Sequence, residues 1–151
     1  MSAKTAQEVT LSTKLMGLWE QAGRKLADLA EAFPEAQYES TPADRVRSFG
    51  DVLRHVAFWN RYVAGTLRES KPDDSANELP KTAYSAKTQI IEALNQSVAD
   101  AAAALRDRSS TLDPQTAEMF VSFLQHTGEH YGQLVIYARL QGIVPPASRG
   151  Q

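Results

Sequence analysis

FVSFLQHTGEHYGQLVIYARLQGIVPP, running from Phe120 to Pro146, holds two of the three histidines in a chain of 151 residues. His126 and His130 are four residues apart, which sets both imidazoles on one face of a helix, about one turn apart. Phe123, Leu134 and Tyr137 share that side, so the histidines are expected to point inward with the apolar residues. Gly142, followed by Pro145 and Pro146, stops the helix. Two neutral imidazoles one turn apart can share a divalent metal ion, but they do not complete a site. The reading therefore turns on a third ligand.

His55 is the candidate. Ser48 reads as the N-cap of a second helix reaching Glu69, with Asp51 in the first turn, where a carboxylate favours the positive helix end. The inward stripe of this helix is Val52, His55, Val56, Trp59, Tyr62 and Val63, so the remaining histidine also lies on an apolar face. Buried rings without partners are costly, and all three should find hydrogen bonds, one another, or a metal.

The rest of the chain builds around these two helices. Leu11, Leu15, Leu18, Trp19, Ala22, Leu26, Leu29 and Phe33 recur at three- and four-residue steps, marking a first helix from Val9 to Phe33 that Pro34 closes. Gly17 and Gly23 within it leave room for a close neighbour. Arg45 and Arg47, in the loop that follows, read as solvated, with contact to an anionic ligand the less common alternative. A third helix spans Ser85 to Arg108, burying Ile90, Ile91, Leu94, Val98, Ala101 and Leu105. After a turn at Ser109 to Thr111, Asp113 caps a fourth helix with Pro114 at its first position, and that helix continues to Gln141. Gly128 and Gly132 lie beside Val121 and Val135 on a different side from the histidines. This stripe admits a tightly packed helix from this chain or from a second subunit, and a homodimer is the expectation.

Between the second and third helices lies SKPDDSANELPKTAY, Ser70 to Tyr84, longer than most helix–helix loops. Extended, it reaches about 50 Å, whereas the second helix spans only about 33 Å. It can cross the length of a bundle and make helices two and three parallel, or fold back on itself. With no internal repeat or second domain, residues 1–151 are expected to form one all-α four-helix bundle with short disordered ends and a long connection between helices two and three.

Lysine and arginine number 16 against 18 aspartate and glutamate, a formal charge of −2. No run of either sign suggests nucleic acid or an electrostatic membrane anchor. Neither a transmembrane stretch nor a signal peptide is read. Cysteine is absent, which fits a reducing cytoplasm and means that any thiol chemistry must use a thiol from another molecule.

Three neutral imidazoles suit zinc, nickel, iron or copper better than magnesium or calcium. Three protein ligands leave a position open for water or substrate. Trp59, Glu129, Gln133 and Tyr137 are candidates to orient a ligand or touch substrate, against plainer roles in packing and solvation. No residue is assigned as catalytic.

RSFGDVLRHVAFWNRYV, Arg47 to Val63, and HTGEHYGQLVIYARLQGIVPPAS, His126 to Ser148, together resemble the DinB/YfiT-like superfamily. Its members are four-helix bundles with a histidine on helix two and an H-x3-H pair on helix four. The second piece is the more specific, because the pair is followed by GQL, an aromatic, an arginine and G-x-x-P-P. The resemblance implies that His55, His126 and His130 are ligands of a divalent metal, zinc or nickel foremost and iron next. It also implies a small-molecule substrate, with relatives similar to transferases or isomerases that use a low-molecular-weight thiol such as bacillithiol or mycothiol. Three functions follow as expectations: transfer of a thiol to a small electrophile, metal-assisted hydrolysis of a small amide or ester, or a non-catalytic stress-related binding bundle. The first is preferred, because the sequence supplies no clear general base for the second.

Overall fold

The computed structural model describes residues 9–108 and 112–150. The turn expected at Ser109 to Thr111 and most of the ends expected to be disordered fall outside them. Among the described residues there are four helices and no strand: α1 (Leu11–Ala32), α2 (Phe49–Leu67), α3 (Lys87–Arg106) and α4 (Pro114–Leu140). None is long and apolar enough to cross a membrane.

Local chemistry fixes the helix ends. The Ser48 hydroxyl accepts the Asp51 N–H at 3.1 Å, and the Asp113 carboxylate accepts the Thr116 N–H at 2.9 Å, with Pro114 beginning α4. Each bond satisfies a donor that the helix itself leaves unpaired. At the far end of α4, Gly142 turns left-handed at φ +72°. Its N–H and that of Ile143 bond back to Arg139 and Ala138, the Schellman arrangement. The end of α2 is built alike, with Glu69 in the left-handed position at φ 58° and Ser70 N–H returned to Gly65. The helices stop a residue or two inside most of the expected boundaries, where their terminal residues serve as caps.

Two core clusters establish the topology. One gathers Leu26 to Ala30 of α1 with Phe33 just after it, Phe49 to Ala57 of α2, Ile90 to Leu94 of α3 and Leu134 to Ala138 of α4. The other gathers Trp19, Val63 to Leu67, Ala101 to Leu105 and Phe120. The late half of α1 and of α4 thus meets the early half of α2 and of α3. Helices α2 and α3 run parallel, and the connection between them crosses the bundle from end to end. Both α3 and α4 pack against α1 and α2, which puts the two histidine-bearing helices side by side.

Glycine matters at one helix crossing. A Cβ on Gly23 would lie 2.7 Å from the Val98 methyls, and Trp19 Nε1 donates to the Val98 carbonyl at 3.1 Å beside it. Among the described residues Gly17, Gly128 and Gly132 have no neighbour within 4 Å of an added Cβ. The expected α1 stripe is too wide. Leu11 and Leu18 are 63% and 49% exposed, the first at the helix start and the second on a cleft with Leu124, Gly128 and Tyr131. Gly128 has no side chain to cover it.

Candidate metal centre

Packing of α2 against α4 brings the three histidines to one place. One ligand atom from each of His55, His126 and His130 lies within 4.8 Å of the others. His55 Nε2 is 2.9 Å from His126 Nε2. The His55 ring is 7% exposed, while His126 and His130 are half-buried, so the cluster retains a path to solvent.

Backbone carbonyls decide which ring nitrogens are bare. A carbonyl only accepts, and Asn77 O lies 2.6 Å from His55 Nδ1; that nitrogen must therefore carry the proton, leaving Nε2 with a free lone pair. The same logic reaches His130 through two side chains. Tyr137 Oη donates to the Arg47 carbonyl at 2.8 Å, so it accepts the N–H of Gln133 Nε2 at 2.8 Å. The Gln133 amide is oriented by that bond, and its Oε1 accepts from His130 Nδ1 at 2.9 Å. His130 Nε2 is therefore bare as well.

His126 completes the problem. Its Nδ1 is buried and has no hydrogen-bond partner. Because the bare His55 Nε2 accepts from His126 Nε2, the His126 Nδ1 lone pair stays unpaired inside the protein, at a cost of about 1–3 kcal/mol. Burial pushes the pKa of His55 down to about 4 despite the Asn77 bond, and Arg47 and His130 add to the lowering. His126 is likewise held at about 4 by burial, with its two histidine neighbours contributing. Both rings are thus neutral at physiological pH, the state that ligates a metal. Three convergent imidazoles fit a borderline divalent cation, and the cluster could hold one.

The family model of the DinB superfamily matches residues 18–134, a span that includes all three histidines. The chain belongs to the DinB superfamily. A comparison with curated proteins returns no match.

Around this DinB site, Trp59 and Phe123 stack with ring centroids 5.6 Å apart. Trp59 lies 6.4 Å from the His55 ring and Phe123 6.0 Å from the His126 ring. The same pair lines a groove of about 620 Å³ between α2 and α4, with Tyr62, Thr66 and Met119 in its wall and Arg108 at its edge. Gln133 and Tyr137 form the relay to His130. Glu129 is exposed and accepts from Gln125 at 3.1 Å, and no bond joins it to the imidazoles.

Sequence reasoning missed three contributors to this DinB site. Asn77, in the long connection, holds His55, and the main chain of Arg47 anchors the His130 relay. Arg54, one residue before the ligand, is 1% exposed. Its guanidinium bonds Asp51, Glu39 and, at 2.8 Å, the Tyr84 carbonyl. Burial alone would raise the Glu39 carboxyl, but hydrogen bonds from Arg54 and Lys81 hold it below its ordinary value. Arg54 thus ties α2 to the loop before it and to the end of the connection after it. An isolated arginine in an apolar stripe gives no sequence signal of such a role. For Asn77 the only hint was a residue type that tolerates left-handed backbone.

Proposed function

We propose that this DinB-superfamily chain is a metal-dependent transferase that joins a low-molecular-weight thiol to a small electrophile at the three-histidine centre. The observation that supports it most is the convergence of one ligand atom from each of three histidines, two of which, His55 and His130, are hydrogen-bonded at Nδ1 in a way that leaves Nε2 free. A bound zinc or nickel ion supplies Lewis acidity that lowers the pKa of a coordinated thiol. Because the chain has no cysteine, the thiol belongs to a second molecule.

His55, His126 and His130 hold the ion. The relay from Gln133 to Tyr137 and the Asn77 carbonyl keep two of the rings in the ligating tautomer. The half-buried His126 and His130 leave access for the thiol, and the groove lined by Trp59 and Phe123 receives the electrophile. In the reaction, sulfur forms a bond to the electrophilic carbon, the leaving group departs with its electron pair, and the thiol proton passes to solvent. Hydrolysis is the weaker reading: no carboxylate among the described residues joins the imidazole cluster, so a base to activate water is lacking.

The test has two steps. Elemental analysis of protein purified without a histidine tag or added metal is expected to give one transition-metal ion per chain. Thiol-dependent loss of monobromobimane or chlorodinitrobenzene is then expected from the wild type and not from the His55→Ala variant. Full activity in the triple alanine variant sinks the proposal.

A further inference from the structure

We infer that Asn77 is a positioning residue for His55, and that the connection between α2 and α3 is a strap whose left-handed turn sets the tautomer and plane of that ring. The inference rests on the metal-site reading given above and extends it to a segment with no ligand of its own.

The strap follows α2 along its length. At its start, Pro72 lies so close to Gly65 that an added Cβ would approach its ring to 3.1 Å. Midway, Asn77 reaches two side chains one helical turn apart. Its carbonyl accepts from His55 Nδ1 at 2.6 Å, and its Oδ1 accepts from Trp59 Nε1 at 2.9 Å. Next, Glu78 pairs with Arg47 at 3.5 Å, while the buried Leu79 donates its N–H to the Arg54 carbonyl at 3.3 Å. At its end, the Tyr84 carbonyl takes Arg54 Nε and the Tyr84 hydroxyl takes Arg61 Nη1 at 3.1 Å. Contacts on both sides of Asn77 thus hold it against the helix.

Asn77 has φ +60°, a region that asparagine tolerates and β-branched residues do not. This backbone conformation sends both oxygens of one residue to α2. It matters because the terminal torsion of histidine is broad: rotamer preference alone does not fix the ring plane, and a hydrogen bond at Nδ1 does. Ligating histidines characteristically need such a partner on the opposite nitrogen.

Two substitutions separate the backbone from the side chain. Asn77→Gly and Asn77→Val both remove the bond to Trp59, but only glycine keeps the left-handed conformation and with it the carbonyl. The full-length variants are titrated with cobalt(II) against a chromophoric chelator, and the visible spectrum reports the ligand field. Asn77→Gly is expected to keep most of the wild-type affinity and its spectrum. Asn77→Val is expected to lose about 10–100-fold, the usual effect of removing a ligand's supporting hydrogen bond, with an altered spectrum. Equal affinity for Asn77→Val and wild type overturns the inference, and so does an equal loss in both variants, which would mark a contribution through the amide or through general stability.

A metal-free readout stands beside it. Nitrogen-15 spectra of the histidine rings are expected to show the Nδ1–H tautomer at His55 in wild type and in Asn77→Gly, whatever becomes of the valine variant. An Nε2–H tautomer at His55 in the wild type overturns the brace directly. Failure of cobalt to bind a wild type that carries the Nδ1–H tautomer overturns the metal reading and leaves the brace standing.

Discussion

His55 and His130 are held in the same tautomer by two unlike supports. His130 is steadied from within its own helix: Gln133 stands three residues on and Tyr137 four beyond that, so α-helical geometry alone lines them up. The last bond of that relay, to the Arg47 carbonyl, is the only one to leave α4. His55 is steadied by a single backbone oxygen in a loop 22 residues away in sequence. The first support lies within α4 up to its last bond. The second exists only after the strap is laid on α2. Local supports are therefore written in spacing, whereas distant ones are written in tertiary structure.

The largest expected effect removes a ligand altogether. His55→Ala should bring metal content close to zero by elemental analysis while far-UV circular dichroism stays that of the wild type, because the ring contributes to the site more than to helix formation. Arg54→Met comes next. Removing the buried charge leaves Glu39, Asp51 and the Tyr84 carbonyl without their shared donor, at about 3 kcal/mol, read from denaturant midpoints. Because Arg54 also fastens the end of the strap, this variant should weaken metal binding through His55 while leaving the His130 tautomer intact, a direct contrast between the two supports.

Breaking the helical relay should have a smaller and more graded effect. Gln133→Leu removes the acceptor from His130 Nδ1 and is expected to weaken metal binding about tenfold or more. Tyr137→Phe leaves that acceptor in place but frees the amide to rotate, so its loss should be the smaller of the two in the same chelator competition.

The pH response should be gentlest. An unfolded histidine takes its proton near 6.5, while His55 and His126 in the folded, metal-free protein stay neutral down to about 4. Between those values the unfolded chain binds more protons. Stability is thus full above about 6.5, falls as pH drops toward 4, and levels off below it. Denaturation of chelator-treated protein at pH 7 and pH 5 should show this decline, and His55→Ala should lessen it.

The four helices, their caps at Ser48 and Asp113, and the inward placing of the three histidines were legible because each follows from periodicity or from a local capping bond. The length of SKPDDSANELPKTAY allowed parallel α2 and α3 without requiring it; the core contacts at the two ends of the bundle decide the matter. Leu18 was misjudged because its exposure depends on Gly128 in another helix, which α1 alone does not reveal. Arg54 and Asn77 were invisible for the same reason. Their partners are remote in sequence, and nothing in the residue types around them marks a buried arginine or a carbonyl aimed at a ring.

The end-to-end crossing between α2 and α3 also shapes how the molecule comes together. His55 and His126 are separated by 71 residues, with the strap and α3 between them in sequence. Bringing such distant points together has an entropic cost that grows slowly with chain length and slows formation of the contacts that depend on it. The ligand set forms only when α2 and α4 are packed together, and a cation bound there would stabilise the finished fold by mass action. Chelator-sensitive melting would make the ion a reporter of completed folding.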